Sequence, residues 1–235
     1  MRHATSWSRQ RRGALAACQG DGGNAQIHWR TFKTGGLGPE AVGRHSNGER
    51  ALSDLHSAQY SLENLPYKVA VLCYLWDKQG RVLLLHRKKQ PNIGMCSPIG
   101  GKLEVSQGEG PHQCAIREIF EEAGVTLASD DVRCMGVVSE RGYQGHMHWL
   151  IFLFETTRMI DPALIPENEF EEGRLEWVPL GEVETREIPW TDRHIMWPAV
   201  RKHRDGGFFM VHIDCSTQPP QHIMCESKLP ATFQK

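Results

Sequence analysis

The sequence GKLEVSQGEGPHQCAIREIFEEAGV occupies positions 101–125 of this 235-residue chain, and its second half predicts a helix. Pro111 suits the first helical turn, because its missing N–H has no partner there, and Gly124 suits the position just after the last turn. At about 100° per residue, the apolar side chains gather on one side, which we expect to face the core. These residues are Ile116, Ile119, Phe120 and Ala123.

Three carboxylates on the opposite side of this helix indicate a metal site. Glu118, Glu121 and Glu122 share one face. Held roughly 5 Å apart in a partly dry cleft, each pair of carboxylates repels by about 3 kcal/mol at an effective dielectric constant of 20. A divalent cation removes this repulsion, and oxygen ligands favour Mg²⁺, Mn²⁺ or Ca²⁺ over zinc. The alternative is an acidic helix face that meets only water.

The surrounding pattern resembles the Nudix box, G-x5-E-x7-R-E-U-x-E-E-x-G-U, in which U is a bulky aliphatic residue. The positions that match at the family's spacing are Glu109, Arg117, Glu118, Ile119, Glu121, Glu122, Gly124 and Val125. Seven residues instead of five separate Gly101 from Glu109, and we expect the two extra residues to lengthen a loop and leave the helix intact. The resemblance implies an α/β fold, the Nudix-type α/β/α sandwich around a mixed β-sheet.

The resemblance also implies a metal-dependent hydrolase that cleaves a diphosphate linkage in a nucleoside diphosphate derivative. It implies that Glu118, Glu121 and Glu122 bind Mg²⁺, or alternatively Mn²⁺, together with the backbone carbonyl of Gly101. One glutamate is expected to act as the base that activates a water molecule. Glu172, in a later acidic loop, is our candidate for a further metal ligand, and a solvated acidic loop is the alternative.

Basic side chains are the candidates for positioning and substrate binding. Arg117 is expected to orient the helix carboxylates through charge-assisted hydrogen bonds, with Glu109 as its partner. Arg87 ends a predicted strand, Lys89 follows it, and Lys102 follows a Gly-Gly pair. The resemblance places the 87–89 segment beside the cleft, which implies that Arg87 or Lys89, together with Lys102, meets substrate phosphates. For the Arg87-Lys-Lys89 run the alternative is a solvated strand end.

The sequence around the box favours one substrate class over another. The segments 84–89 and 100–102 resemble those of MutT-type members, which indicates a small-molecule nucleotide, a (deoxy)nucleoside triphosphate, as substrate. Met95 stands where many of those members carry tryptophan. ADP-ribose or a nucleotide sugar is the alternative substrate. A non-catalytic, nucleotide-sensing Nudix module is the alternative from another class, and the presence of every box glutamate argues against it.

Strand-like segments surround the box. Residues 68–76 and 81–87 predict a hairpin around the turn Asp77–Gly80, and their nearly continuous apolar character indicates that both faces are covered. Further strands are predicted at 134–140, 148–155, 175–178 and 206–214. A last helix is predicted from Thr191 or Asp192 to His203, with a break at Pro198.

Composition excludes several classes of protein. A net charge of −1 argues against a nucleic-acid polymer or a membrane surface as partner, and no apolar run approaches the ~18 residues of a membrane span. Seven cysteines without a C-x-x-C motif predict free thiols in a reducing, cytoplasmic environment. Zinc is disfavoured, because no Cys or His pairs have the usual ligand spacing. A homodimer is left open.

The chain divides into three parts. Residues 1–64 hold 9 of the 23 glycines and lack sustained periodicity, so they predict a disordered or atypical N-terminal extension. Alternatives for this part are a lipoprotein-like leader, a transit peptide, or a reading frame that starts later. Residues 65–214 are predicted to form the Nudix hydrolase domain, and residues 215–235 a loose C-terminal tail.

Overall fold

The structure is a computed structural model and describes residues 67–165 and 168–231. The predicted N-terminal extension, residues 1–64, and all the alternatives considered for it lie outside these residues. No helix within the described ranges is both long enough and apolar enough to span a bilayer. The six cysteines in these ranges are free thiols, as the spacing predicts.

The described residues form strands and helices in the following order. The strands are β1 (Tyr67–Tyr74), β2 (Arg81–Arg87), β3 (Cys96–Ser97), β4 (Val132–Tyr143), β5 (Met147–Thr156), β6 (Gly173–Pro179), β7 (Phe208–Asp214) and β8 (Gln221–Lys228). The α-helices are α1 (Pro111–Ala123) and α2 (Trp197–His203). A π-helical turn covers Asp192–Met196, and 3₁₀ turns cover Val105–Gln107, Ser129–Asp131, Pro162–Leu164 and Leu180–Thr185.

The strands form a mixed sheet and a smaller antiparallel sheet. In the larger sheet the order is β1-β5-β4-β7-β8, with β1 parallel to β5 and β4 parallel to β7. In the smaller sheet β2 lies between β3 and β6 and is antiparallel to both. The predicted mixed sheet is therefore confirmed, as are the strands predicted within β4, β5, β6 and β7.

The predicted hairpin of β1 and β2 is wrong beyond its turn. The turn itself is present, because the Asp77 carboxylate accepts hydrogen bonds from the backbone N–H groups of Gln79 and Arg81, at 2.9 and 2.8 Å. After a single bridge between Trp76 and Val82 the two strands diverge into different sheets. Both strands are apolar on both faces. In separate sheets, each of these faces packs against a hydrophobic core.

Alternate residues of β1 and β2 point into two separate cores, as their continuous apolar character predicts. One core contains α1, and the other contains α2. The first combines Val71, Cys73, Leu75, Leu83 and Leu85 with Cys114, Ala115 and Ile119. The second combines Tyr74, Trp76, Val82 and Leu84 with Trp197, Ala199 and Val200. A helix thus covers each side of the strands, which is the expected α/β/α arrangement.

The C-terminal segment differs from its prediction, whereas the last helix agrees with it. Gln221–Lys228 forms the edge strand β8, antiparallel to β7, so the predicted loose tail is wrong there. All eight residues of β8 are exposed, so backbone pairing rather than an apolar face holds the strand. The break predicted near Pro198 is observed, because the π-helical turn gives way to α2 at Trp197.

Candidate metal and substrate site

Helix α1 starts and ends as its sequence predicts. The side chain of Gln113 accepts a hydrogen bond from the backbone N–H of Gly110, at 3.0 Å. Gly124 has φ 69° and donates its N–H to the carbonyl of Phe120 at 3.0 Å. Left-handed backbone of this kind suits glycine, which lacks a Cβ. The two extra residues of the box lie near an exposed 3₁₀ turn, Val105–Gln107, and α1 remains intact.

The buried face of α1 differs from the predicted one. The buried residues are Cys114, Ala115, Glu118, Ile119, Glu122 and Ala123. Phe120 is 43% exposed, although it was expected in the core. Small side chains make up half of this buried face, so the helix packs on β1 along them and turns Glu118 and Glu122 inward. Two of the three carboxylates are therefore withdrawn from bulk water.

Arg117 binds three carboxylates at once. Its Nε and Nη2 donate to the two oxygens of Glu109, at 2.7 and 3.0 Å, in the bidentate geometry that favours arginine. Its Nη1 donates to Glu118 at 2.8 Å and to Glu121 at 2.9 Å. The predicted Arg117–Glu109 pair is confirmed. These bonds hold the pKa of Glu109 below its ordinary value and raise that of Arg117.

Glu122 is a buried box carboxylate with one unsatisfied oxygen. Its Oε2 accepts a hydrogen bond from the backbone N–H of Gly100 at 2.8 Å, whereas its Oε1 is buried without a hydrogen-bond partner. Burial raises the pKa of Glu122 to about 8, the Gly100 bond opposes this, and the carboxylates of Glu118 and Glu172 add to it. Burial also raises the pKa of Glu118, against the effect of Arg117.

A cavity of about 340 Å³ lies beside these carboxylates. Of the residues predicted for the site, its lining includes Arg87, Gly101, Lys102, Glu118 and Glu172. Glu172 is the loop residue chosen from the sequence, and its carboxylate is close enough to Glu118 and Glu122 to raise the pKa of both.

Four predicted site residues do not line this cavity, namely Lys89, Arg117, Glu121 and Glu122. Lys89 is exposed and donates to Glu171 at 2.7 Å, which fits the alternative of a solvated strand end. Glu121 is 55% exposed at its side chain and does not line the cavity. Glu122 lies just behind the lining, next to Gly100.

The donor set fits a hard divalent cation. Within the described residues no three His, Cys, Asp or Glu side chains already converge as ligands. Glu118 and Glu121 both accept hydrogen bonds from Nη1 of Arg117. The buried Oε1 of Glu122 has no hydrogen-bond partner, and a carboxylate oxygen is a ligand that a hard cation favours. A Cβ on Gly101 would lie 2.2 Å from Oε1 of Glu118, so a larger residue here would displace the Glu118 carboxylate. The Gly101 carbonyl accepts from Val71 N–H at 2.9 Å and keeps one lone pair.

The cavity also contains residues that the sequence pattern does not single out as site residues. Glu140, Tyr143, Trp149, Asp192 and Met196 line it. Glu140 lies two residues after the buried Val138 on β4 and on the same side, so an acid at a core position of a strand was the available signal. Asp192 was assigned only as a helix cap, whereas its side chain is buried.

The raised carboxyl pKa values predict a pH dependence of stability. Between pH 4.5 and about 8 the folded protein keeps the Glu122 proton that the unfolded chain has lost, so raising the pH favours unfolding. In the presence of a chelator, the melting temperature should therefore fall as pH rises across this window. Glu122→Gln should make the decline shallower. An unchanged decline in the variant would contradict the assignment of a buried, proton-binding Glu122.

Comparisons with known proteins complete the description of the site. A family model described as the NUDIX domain matches residues 66–198. An RNA pyrophosphohydrolase from Sphingopyxis alaskensis is 26% identical over 143 residues, which cover 54% of this chain and 87% of that protein.

Two solved structures are also similar. A mMutator MutT protein from Bacillus halodurans has a TM-score of 0.47 and 24% identity, covering 69% of this chain and 97% of that one. The NUDIX domain of NrtR from Shewanella oneidensis, crystallised with ADP ribose, has a TM-score of 0.49 and 17% identity, covering 63% and 97%.

Proposed function

The chain belongs to the Nudix family, and from this premise we propose that it is a metal-dependent pyrophosphohydrolase acting on a nucleoside diphosphate derivative. The observation that carries the proposal is the buried carboxyl group of Glu122, whose pKa is raised by its neighbours Glu118 and Glu172, next to a cavity that Glu118, Glu172, Arg87 and Lys102 line. An anionic cluster next to a cavity that also presents cationic side chains suits a phosphate ester bridged to protein by metal.

Glu118, Glu122 and Glu172 would hold the cation, with Glu121 and the Gly101 carbonyl as the further ligands expected from the box. Bound Mg²⁺ or Mn²⁺ supplies charge neutralisation for the diphosphate and lowers the pKa of a coordinated water. One of these carboxylates takes the proton from the attacking water. Arg117 keeps the acids positioned through its bonds to Glu109, Glu118 and Glu121.

Arg87 and Lys102 are proposed to bind the substrate phosphates. Both line the cavity, and the Nε of Arg87 donates to the carbonyl of Pro91 at 2.8 Å, which fixes the direction of the guanidinium. The remaining guanidinium N–H groups of Arg87 are then available for an anion. Lys89, held by Glu171 outside the cavity, has at most a long-range electrostatic role.

A (deoxy)nucleoside triphosphate is the substrate we propose first. Support comes from the sequence around Arg87 and Lys102, and the name of the S. alaskensis relative, RNA pyrophosphohydrolase, describes cleavage of the same type of bond. ADP-ribose or a nucleotide sugar is the second candidate, because the NrtR domain was crystallised with ADP ribose. All of these substrates share the diphosphate linkage on which the proposed chemistry depends.

A panel of nucleotides with Mg²⁺, analysed by chromatography of the products, tests this function. We expect hydrolysis at a diphosphate linkage, dependent on the metal, together with Mg²⁺ uptake by the purified protein in calorimetry. Cleavage of triphosphates alone would support the first substrate class, and cleavage of ADP-ribose would replace it with the second. Nucleotide binding without hydrolysis of any member would instead indicate a sensing module.

A further inference from the structure

The segment that brings Glu172 to the cavity is a tight turn, which we call the acidic turn (residues 169–173). Phe170 and Gly173 exchange backbone hydrogen bonds: the N–H of Phe170 donates to the carbonyl of Gly173 at 2.9 Å, and the reverse bond measures 3.3 Å. Glu171 and Glu172 therefore lie at the tip of the turn. Glu172 lines the cavity, so its direction depends on how the turn is held.

Two lysines that follow β2 hold this turn from outside the cavity. Nζ of Lys88 donates to Oε1 of Glu169 at 2.5 Å, and Nζ of Lys89 donates to Oε1 of Glu171 at 2.7 Å. The backbone N–H of Lys88 also donates to the carbonyl of Glu172 at 2.8 Å. Two of the three acids in the turn are therefore paired with cations, and the third, Glu172, faces the cavity.

The base of the acidic turn is fixed by packing, whereas its tip is fixed by charge. Phe170 packs against the core that contains α1. Gly173 pairs with Arg87 in the ladder of β2 and β6, and a Cβ on Gly173 would lie 2.1 Å from the carbonyl oxygen of His86. The Glu171 side chain is 86% exposed, so little packing restrains it besides the ion pair with Lys89.

Charge explains why the turn needs these lysines. The acidic turn carries three carboxylates and places Glu172 near the buried carboxyl groups of Glu118 and Glu122. Like charges repel, so a turn that is free to move relaxes away from the cavity while no cation is bound. The ammonium groups of Lys88 and Lys89 offset this repulsion without lining the cavity.

Building on the proposed function, we propose that Lys88 and Lys89 are positioning residues: their ion pairs with the acidic turn hold Glu172 toward the box carboxylates and raise the affinity of the site for a divalent cation. In phosphate binding Lys89 acts at most at long range, and its contact with Glu171 gives it this different role. A ligand that binds one conformation binds more tightly when that conformation is more populated. The lysines therefore increase cation affinity although their own charge repels the ion.

Calorimetric Mg²⁺ titrations of the full chain, without substrate, separate positioning from plain electrostatics. The double variant Lys88→Gln/Lys89→Gln should raise the Mg²⁺ Kd about three- to tenfold, because each exposed ion pair contributes modestly. The double variant Glu169→Gln/Glu171→Gln breaks the same pairs and should also raise the Kd. Plain electrostatics predicts opposite shifts, with tighter binding when the lysines are neutral and weaker binding when the acids are. Opposite shifts would overturn the proposal, and so would an unchanged Kd in both variants.

A charge-reversed pair and a distant ion pair are the controls. Combining Lys89→Glu with Glu171→Lys restores the pair in reverse, so its Kd should return to within about twofold of the original. A combined variant that binds Mg²⁺ as weakly as Lys89→Glu alone would contradict the proposal. Arg158→Gln breaks the exposed pair of Arg158 with Asp131, at 3.1 Å and outside the cavity lining, and should leave the Kd unchanged. Because salt screens exposed pairs, the effect of the lysine variant should shrink between ionic strengths of about 0.01 M and about 1 M.

Hydrogen exchange measures the position of the turn without any metal. In Lys88→Gln/Lys89→Gln, the backbone amides at positions 88 and 173, which bond to and within the acidic turn, should exchange faster, while the melting temperature stays unchanged. Unchanged exchange at both positions would overturn the proposal. Faster exchange in the variant, together with no Mg²⁺ uptake by the original chain, would contradict the proposed function and leave the positioning of the turn in place.

Discussion

Replacing Glu122 with glutamine is expected to lower kcat by about 10²- to 10³-fold while the melting temperature stays constant or rises. Loss of a metal-binding charge removes several kcal/mol of transition-state stabilisation, and each 1.36 kcal/mol corresponds to a factor of ten. The fold should tolerate the change, because glutamine keeps an oxygen for the Gly100 N–H and replaces a buried carboxyl group whose charged form Glu118 and Glu172 disfavour. Steady-state kinetics at saturating Mg²⁺ and a thermal melt measure the two effects.

The control for this variant is Glu104→Gln. Glu104 is exposed and lies in the loop before α1, and within the described residues its hydrogen bonds are made by its backbone: its N–H donates to the Glu109 side chain at 2.8 Å, and its carbonyl accepts from the N–H of Gln107 at 2.9 Å. Its neutralisation should leave kcat within about twofold of the original, since an isolated surface charge contributes little. Equal loss of activity in both variants, or none in Glu122→Gln, would show that Glu122 does not act at the reacting centre.

Gly100→Ala is expected to destabilise the fold by more than about 3 kcal/mol. A Cβ at this position would lie 2.2 Å from the carbonyl oxygen of Val71 and 3.1 Å from the Cα of Leu72, so backbone rather than a flexible side chain would have to move. Gly100 also has φ 146°, which L side chains rarely adopt. Urea unfolding gives the change in free energy, and activity should fall in parallel because the Gly100 N–H holds Glu122.

Gly181→Ala is the matched control for Gly100→Ala. A Cβ on Gly181 has open space around it, and its φ is not in the left-handed region. Reduced entropy of the unfolded chain should then leave this variant unchanged or more stable by up to about 1 kcal/mol. If Gly100→Ala and Gly181→Ala unfolded at the same urea concentration, the close contact with β1 would not limit position 100.

Local sequence chemistry predicted the elements that depend on it. Helix α1 follows from Pro111, Gly124 and the box pattern, and the turn at Asp77–Gly80 follows from its own side chains. Pairing partners were harder to predict: β1 and β2 are adjacent in sequence, yet they join different sheets because both faces of each strand are apolar. Strand β8 escaped prediction because all its residues are exposed and carry no periodic signal.

Some features of the candidate site could likewise be predicted from the sequence, and others could not. The Arg117–Glu109 pair and the position of Glu172 near Glu118 could be anticipated, since one resemblance places them together. The inward turn of Glu118 and Glu122 could not, because it depends on how closely α1 approaches β1. Glu140 and Asp192 are 52 positions apart and meet only through the tertiary fold, so no local pattern joins them.

The hydrogen bonds of Arg117 also affect the stability of the metal-free protein. In many metalloproteins the metal ligands repel each other, and the polypeptide folds only when the ion binds. Here a guanidinium already serves as a built-in counterion for Glu109, Glu118 and Glu121, so the acidic helix is compatible with a complete fold before any ion arrives. Metal binding then replaces part of the Arg117 guanidinium's interaction with the carboxylates. When the metal ion is depleted, the protein loses activity but stays folded.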